Sequence, residues 1–189
     1  MAKRPRHTAI NVVPIRPTVF KIFRSATLIY AAGLDPLMPR QTRAFAEHDA
    51  ATLKKATLTA TTLCAIPTLA LCALLLFAGD RVFAVPFGQA ASVPSAATLL
   101  LSGLLLANLA QNVATCLLLQ TGFFREIARV ANVLVVAMAM MTAVVLVIDA
   151  SVIGFIGDYT LVYVGGAASY VAYVVRKPFR IGSMQKAAP

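Results

Sequence analysis

Four long stretches without a charged residue dominate the hydrophobic pattern of the chain. They cover residues 56–79, 82–124, 130–148 and 159–175. Because a helix needs about 20 apolar residues to cross a bilayer, the pattern predicts an all-α, multi-pass transmembrane helical bundle. The second stretch is about twice too long for one span, and Pro86, Gly88 and Pro94 interrupt its first third. We therefore predict about four spanning helices, at 56–78, 97–120, 130–148 and 153–175, within a transmembrane region 56–176.

The segments outside these spans are basic and rich in proline. Residues 1–17 are expected to lack fixed structure, and residues 177–189 form a basic tail. Between them, 18–55 is predicted to be an interfacial or cytoplasmic helical segment. It begins with an amphipathic or partial helix over 19–34, whose uncharged part is too short to cross a bilayer alone. That helix either lies at the interface or forms the end of a partial span, and a polar helix is predicted over 40–55.

Charge separates the connecting segments into two sets. The chain has 17 Lys and Arg against 7 Asp and Glu, a net charge of +10. With four crossings, Arg81 alone among the basic residues falls on the side that holds Asp80, Asp149 and Asp158. Since short loops rich in Lys and Arg stay in the cytoplasm, we predict a bacterial inner-membrane protein with both termini cytoplasmic. This bias accounts for the positive charge, so nucleic acid is not an expected partner.

Polar side chains deep in the second predicted span are the first candidate functional feature. Asn108, Gln111, Asn112 and Thr115 follow i, i+3, i+4, i+7 spacing and share one helix face. Amides are costly in hydrocarbon unless they are paired, so this face must contact protein or water. Two interpretations stay open: hydrogen bonds between helices, or a wet cavity that binds a polar substrate.

The first predicted span has a milder polar face and a proline. Thr57, Thr61, Cys64 and Thr68 lie on one side, where threonine hydroxyls can bond their own helix carbonyls. Pro67 predicts a kink near the centre of this span. In the fourth span, a run of small residues, 165–169, predicts close packing against a neighbouring helix.

Catalytic chemistry is not expected from this sequence. No ionisable residue lies at the centre of a predicted span, and no metal-ligand spacing, nucleophile motif or phosphate-binding loop is present. The cysteines Cys64, Cys72 and Cys116 are interpreted as apolar packing residues. We therefore expect a protein that is not an enzyme and needs no metal or cofactor.

Two arginine pairs flank the spans on the cytoplasmic side. Arg40 and Arg43 are three residues apart, and Arg125 and Arg129 are four apart, so each pair shares a helical face. Arginine binds phosphate through bidentate contacts, which makes these residues candidates for lipid headgroup or substrate phosphate contacts. The alternative interpretation is that they only set the topology.

Three segments resemble polysaccharide flippases of the multidrug/oligosaccharidyl-lipid/polysaccharide exporter superfamily. Residues 36–49, PLMPRQTRAFAEHD, are similar to a cytoplasmic segment that precedes a span in that family. Residues 83–89, FAVPFGQ, are similar to an outward loop, although Val-Pro ahead of Phe-Gly departs from the pattern. Residues 117–125, LLLQTGFFR, are similar to a short inward turn. The resemblance covers about 22–175.

The resemblance implies part of one lobe of a transporter that moves lipid-linked oligosaccharide across the inner membrane for polysaccharide synthesis. Family members have twelve to fourteen spans around a central cavity, whereas this chain supplies about four. The implied partners are membrane lipids, lipid-linked oligosaccharide, and either further copies of the chain or an N-terminal portion with the remaining spans. Asn108, Gln111 and Asn112 are the candidates for sugar contacts, and the four arginines for the phosphate. The alternatives are a small membrane scaffold without transport activity and a multidrug-type exporter.

Overall fold

The computed structural model describes residues 15–87, 95–147 and 152–178. The described residues are helical apart from short turns, which confirms the all-α prediction. The elements are α1 (Ile15–Leu34), a 3₁₀ helix (Asp35–Leu37), α2 (Met38–Ala46), α3 (Ala50–Phe87), α4 (Ser95–Gln120), α5 (Phe124–Val147) and α6 (Val152–Arg176).

Three of these helices are long and apolar enough to cross a membrane. They are Ala50–Val82 in α3, Ser95–Gln120 in α4 and Phe124–Val145 in α5. The first two predicted spans, 56–78 and 97–120, fall within them, and the third, 130–148, overlaps Phe124–Val145 over residues 130–145. The fourth, 153–175, coincides with α6, which is a helix but is not among these candidate spans. It contains Asp158 and four tyrosines, Tyr159, Tyr163, Tyr170 and Tyr173.

The centre of the bundle is α4. More than half of its most apolar window is buried, whereas the corresponding share for α5 is 6%. One core cluster joins α1, α3 and α4 around Leu75, Leu101 and Leu104. A second cluster joins the end of α4 to α2, α5 and α6 through Leu117 and Tyr170. The helix α5 therefore packs on the edge of the bundle, mainly against α6.

The helix α1 packs against the middle of α4 and the middle of α6. Ala26, Tyr30 and Leu34 follow i, i+4 spacing and are buried in the cluster with α3 and α4. Phe23 packs edge-on against Tyr163 in the middle of α6, with ring centroids 5.1 Å apart. Thr27 contacts Asn108 in the middle of α4. These contacts join the described part of α1 to the core of the bundle.

The charged residues of α1 take an unusual position as a result. Lys21 and Arg24 are exposed, and they flank Phe23, which is level with the middle of α6. Leu34 is followed by the 3₁₀ helix and then by α2, so the end of α1 lies close to the start of α2. The predicted cytoplasmic N-terminus concerns residues 1–14, which lie outside the described residues.

The prediction of one polar helix over 40–55 is wrong, because α2 and α3 are separated by a tight turn. His48 adopts a left-handed conformation with φ of 55°, which stops α2. Asp49 then caps α3, since its Oδ1 accepts hydrogen bonds from the backbone N–H groups of Ala51 and Thr52, each at 3.1 Å. An acidic N-cap of this kind satisfies donors that the first helical turn leaves free.

Two helix boundaries also differ from the prediction. The helical backbone of α3 is interrupted at Ala78, where φ is −133°. The predicted kink was at Pro67. The helix α5 begins at Phe124, six residues before the predicted start at 130. Charged residues ended the predicted stretch because they break the apolar pattern, but Arg and Glu are good helix formers at a membrane surface.

Some predictions concern residues that the structure does not describe. The segment 1–17, predicted to lack fixed structure, falls mostly on 1–14, but its residues 15–17 are helical and belong to α1. The tail 177–189 falls mostly on 179–189. In the outward segment 83–89, the backbone is helical as far as Phe87.

Candidate functional site

Two of the three family-like segments meet at one end of the bundle. The hydroxyl of Thr42 in α2 donates a hydrogen bond of 2.8 Å to the Oε1 atom of Gln120 at the end of α4. Three residues further along each segment, Phe45 and Phe123 pack edge-to-face, with centroids 6.2 Å apart. The segments 36–49 and 117–125 therefore form one continuous surface, which we call the basic end.

The four candidate arginines are all exposed at the basic end. Arg40 and Arg43 project from α2, and Arg125 and Arg129 lie in the first two turns of α5. Arg43 is ion-paired with Glu47 at 2.7 Å, and this hydrogen bond raises the pKa of the Arg43 guanidinium. An exposed pair of this kind contributes little to stability, so Arg43 can exchange Glu47 for a phosphate at small cost.

A second ion pair fixes the position of α5 at the same end. Lys177, just after α6, donates to the Oε1 atom of Glu126 at 2.5 Å, and its ammonium lies 5.7 Å from the ring centroid of Phe123. Glu126 is the more buried partner, with a side chain 13% exposed. Glu126 is the acidic residue in the first turn of α5, and it is already paired with Lys177. Arg125 and Arg129 have no other acidic neighbour in that turn.

The amide face of α4 is divided between two neighbours. Asn108 is buried, and its Nδ2 donates to the Oγ1 atom of Thr27 in α1 at 3.3 Å. Asn112 donates to the Oδ1 atom of Asn108 at 2.8 Å. These two amides form an interhelical hydrogen-bond chain, as one of the two sequence interpretations proposed. Thr115, one turn further along, is half-buried.

Gln111 points toward a different part of the bundle. It lines a cavity of about 370 Å³ between α4, α5 and α6. Its Oε1 atom is buried and has no hydrogen-bond partner within the described ranges. The structure therefore brings Asn108 and Asn112 together and separates Gln111 from them.

The threonines of α3 satisfy their hydroxyls within the helix, as predicted. Thr57 and Thr61 donate to the carbonyls of Leu53 and Thr57, at 2.8 and 2.9 Å. Thr68 bonds the Cys64 carbonyl at 2.7 Å. Cys64, Cys72 and Cys116 are buried and free, in agreement with their interpretation as packing residues.

Tyr30 and Gln41 are polar core residues that the sequence analysis missed. The Tyr30 hydroxyl lies 3.3 Å from the Leu105 carbonyl and 3.0 Å from Thr68 Oγ1, so it links α1 to α4 and α3. Gln41 is fully buried, and its Oε1 atom accepts a contact from Cys116 Sγ at 3.8 Å. The i, i+4 spacing of Tyr30 with two other buried residues of α1 is the signal that identifies it as a core position.

Comparisons with protein-family models, with characterised proteins and with solved structures gave no match.

Proposed function

We propose that this chain is a multi-pass inner-membrane protein that acts in moving lipid-linked oligosaccharide across the membrane, as a transporter or a segment of one. In this proposal α6 is a fourth span, the basic end lies in the cytoplasm, and the chain performs no covalent chemistry. The transported molecule has a sugar head and an anionic phosphate linkage, and it is recognised at the basic end before it crosses.

The contact between segments 36–49 and 117–125 is the observation that carries this proposal. These segments were singled out separately for their resemblance to flippases, and they share a surface through Thr42 and Gln120. That surface carries the two arginine pairs, which are exposed. Exposed guanidinium groups close to a membrane are well suited to a phosphate that is anchored in lipid.

The mechanism that fits this arrangement is alternating access, in which helix bundles rock around a central substrate. The arginines would attract the phosphate electrostatically, at about 1 kcal/mol for each basic residue close to an anionic surface. Asn108 and Asn112 then belong to the joint between α1 and α4. Sugar contact by these amides requires that α1 move away from α4 during transport.

The arginine assignment is tested by complementation with a charge-matched control. In a host that lacks its own copy of this gene, Arg125→Gln with Arg129→Gln should fail to restore surface polysaccharide, and lipid-linked oligosaccharide should accumulate inside. Lys55→Gln with Arg176→Gln removes the same charge from exposed positions at the same end and should restore export. Immunoblots of membrane fractions establish that both variants are inserted equally.

Two outcomes would contradict the proposal. The first is normal surface polysaccharide in the strain without the gene. The second is full restoration by the Arg125 and Arg129 double variant, which would reduce these residues to determinants of topology.

A membrane scaffold without transport activity is the second candidate function. It is favoured by the internal pairing of Asn108 with Thr27, since these groups satisfy each other without a substrate. It is also favoured by Gly165, Ala168 and Ser169, which are small, exposed and on one face of α6, where another helix can approach closely. In the complementation experiment, a scaffold requires the protein to be present but tolerates the Arg125 and Arg129 double variant.

A further inference from the structure

The cavity between α4, α5 and α6 combines an apolar wall with one unused acceptor. It is lined by Gln111 and by seven other residues: Ala131, Leu134, Val135, Met138, Val162, Tyr163 and Tyr170. Its volume of about 370 Å³ lies in the range of small-molecule pockets, roughly 300–1,000 Å³. The cavity is open on one side and has room for a substituted aromatic ring.

The other polar groups of the cavity are already engaged. The Tyr170 hydroxyl donates to the Ile127 carbonyl at 3.4 Å. The Tyr163 ring packs between Phe23 and Tyr159, with centroid distances of 5.1 and 5.0 Å, and its hydroxyl is hydrogen-bonded to the Tyr159 hydroxyl. Gln111 Oε1 is thus the acceptor in the lining that has no partner among the residues that the structure describes.

An unpaired, buried amide oxygen is unfavourable until it accepts a hydrogen bond. A molecule that donates one hydrogen bond and otherwise presents hydrocarbon would meet the whole lining. The cavity also has a side that such a molecule can enter, because Val135 on α5 is 67% exposed. In a bilayer, that face of α5 contacts lipid.

We propose that this cavity is a binding site for a compact hydrophobic alcohol or phenol, whose hydroxyl donates to Gln111 Oε1. The ligand reaches it from the lipid phase past α5. The proposal does not rest on the transport function, because the lining contains neither Asn108 nor Asn112 and none of the four arginines.

The methionines of α5 provide reporters for this site. Met138 lines the cavity. Met140 is 64% exposed, so its signal reports probe that has only dissolved in the lipid. The full chain, labelled at its methionine methyl groups and held in lipid nanodiscs, is titrated with thymol or with p-cymene while the methyl NMR signals are recorded. The two probes share a carbon skeleton, and thymol alone has a hydroxyl.

We expect a saturable shift of the Met138 methyl, with thymol half-saturating at about fivefold lower concentration than p-cymene, since one hydrogen bond contributes about 1 kcal/mol. The Met140 signal should change gradually and equally with both. In Gln111→Leu, the thymol preference should disappear while binding of both probes remains. Asn132→Leu makes a similar change at an exposed position of α5 and should keep the preference.

A filling variant makes the test complete. Ala131→Phe should weaken both probes about tenfold or more, because its ring occupies the cavity. The proposal is overturned if Met138 shows no saturable shift, if Gln111→Leu keeps the thymol preference, or if Ala131→Phe binds both probes as the unaltered chain does. If Gln111→Leu fails to fold, the comparison of probes in the unaltered chain and in Ala131→Phe still decides the outcome.

Discussion

Asn108 and Gln111 are three residues apart on α4, yet their side chains reach different neighbours. The i, i+3, i+4, i+7 spacing correctly predicted that the amides lie on one side of a helix. That side is wide, because Gln111 and Asn112 are adjacent residues and lie about 100° apart around the helix axis. Which neighbour stands at each edge depends on how α1, α5 and α6 pack, and the periodicity of α4 has no information about that.

The pairing of Asn108 with Thr27 leads to a prediction about stability. Asn108→Leu should destabilise the protein by about 1 kcal/mol, because interhelical hydrogen bonds in membranes contribute about 0.6–2 kcal/mol and this change also removes a partner of Asn112. The measurement is reversible unfolding in mixed micelles of increasing denaturing-detergent content. Asn132→Leu is the matched control, since Asn132 is exposed, and equal stability of the two variants would refute the assignment.

Among the four long helices after α2, α4 and α6 were predicted most accurately and α3 least. The bounds of α4 differ from the predicted span by two residues at the start, because Pro94 precedes it and Gly122, with φ of 79°, follows it. The start of α3 was missed because Lys54 and Lys55 ended the apolar pattern, although the cap at Asp49 lies further back. A charged run marks a membrane surface, and only the capping residue marks the helix end.

That cap can be tested by a pair of substitutions at Asp49. Asp49→Ala should destabilise the protein by about 1 kcal/mol, because the N–H groups of Ala51 and Thr52 lose their acceptor. Asp49→Asn keeps an oxygen in the same place and should be close to neutral. Unfolding of both variants under identical conditions separates the cap from a general effect of the charge, and equal losses would refute the capping role.

Neighbouring glycines of α6 test the contact between α5 and α6. A Cβ atom at Gly166 would lie 2.7 Å from the methyl groups of Leu134, whereas nothing is within 4 Å at Gly165. Both changes to alanine favour the helix equally, so their difference isolates packing. We expect Gly166→Ala to be less stable than Gly165→Ala by about 1–3 kcal/mol, as for other overpacked contacts.

Shortening Leu134 checks the cause of that difference. The double variant Gly166→Ala with Leu134→Ala should recover part of the stability that Gly166→Ala loses, relative to Leu134→Ala alone. A purely additive result would mean that the two residues do not press on each other.

At the scale of the molecule, the number of membrane crossings depends on whether α6 spans the bilayer. The helix α6 has the length of a span but is not among the three candidate spans found in the described residues. With four crossings, reporter fusions after residues 88 and 149 should be active outside, and fusions after residues 124 and 180 should be active inside. If α6 stays on the outer surface, the fusion after residue 180 becomes active outside. An outside result after residue 124 would break the arrangement of α3 and α4 as well.

Function could be predicted from the sequence only as a resemblance. The segments 36–49 and 117–125 are far apart in sequence, and their contact through Phe45 and Phe123 emerges only when the bundle folds. The cavity at Gln111 likewise could not be predicted from the sequence, because its lining residues come from three helices. Single-helix patterns predict faces, whereas a site requires knowledge of how the faces meet.

Lys21 and Arg24 have a consequence for how the protein is made. A Lys or Arg at the centre of a helix raises the free energy of insertion by about 2.5–3.5 kcal/mol, so the translocon should not release α1 into lipid by itself. The contacts of Thr27 and Tyr30 with α4 become available only after α4 has left the ribosome. We therefore expect α1 to remain outside the bilayer core until α4 has been synthesised, and then to insert beside it.

Arrested nascent chains can reveal this order of assembly. With the chain halted after residue 80, a cysteine at Thr27 should react with a water-soluble maleimide. With the chain halted long after α4 has emerged, the same cysteine should be protected. Protection at both lengths would mean that α1 inserts on its own and that lipid tolerates its two cations.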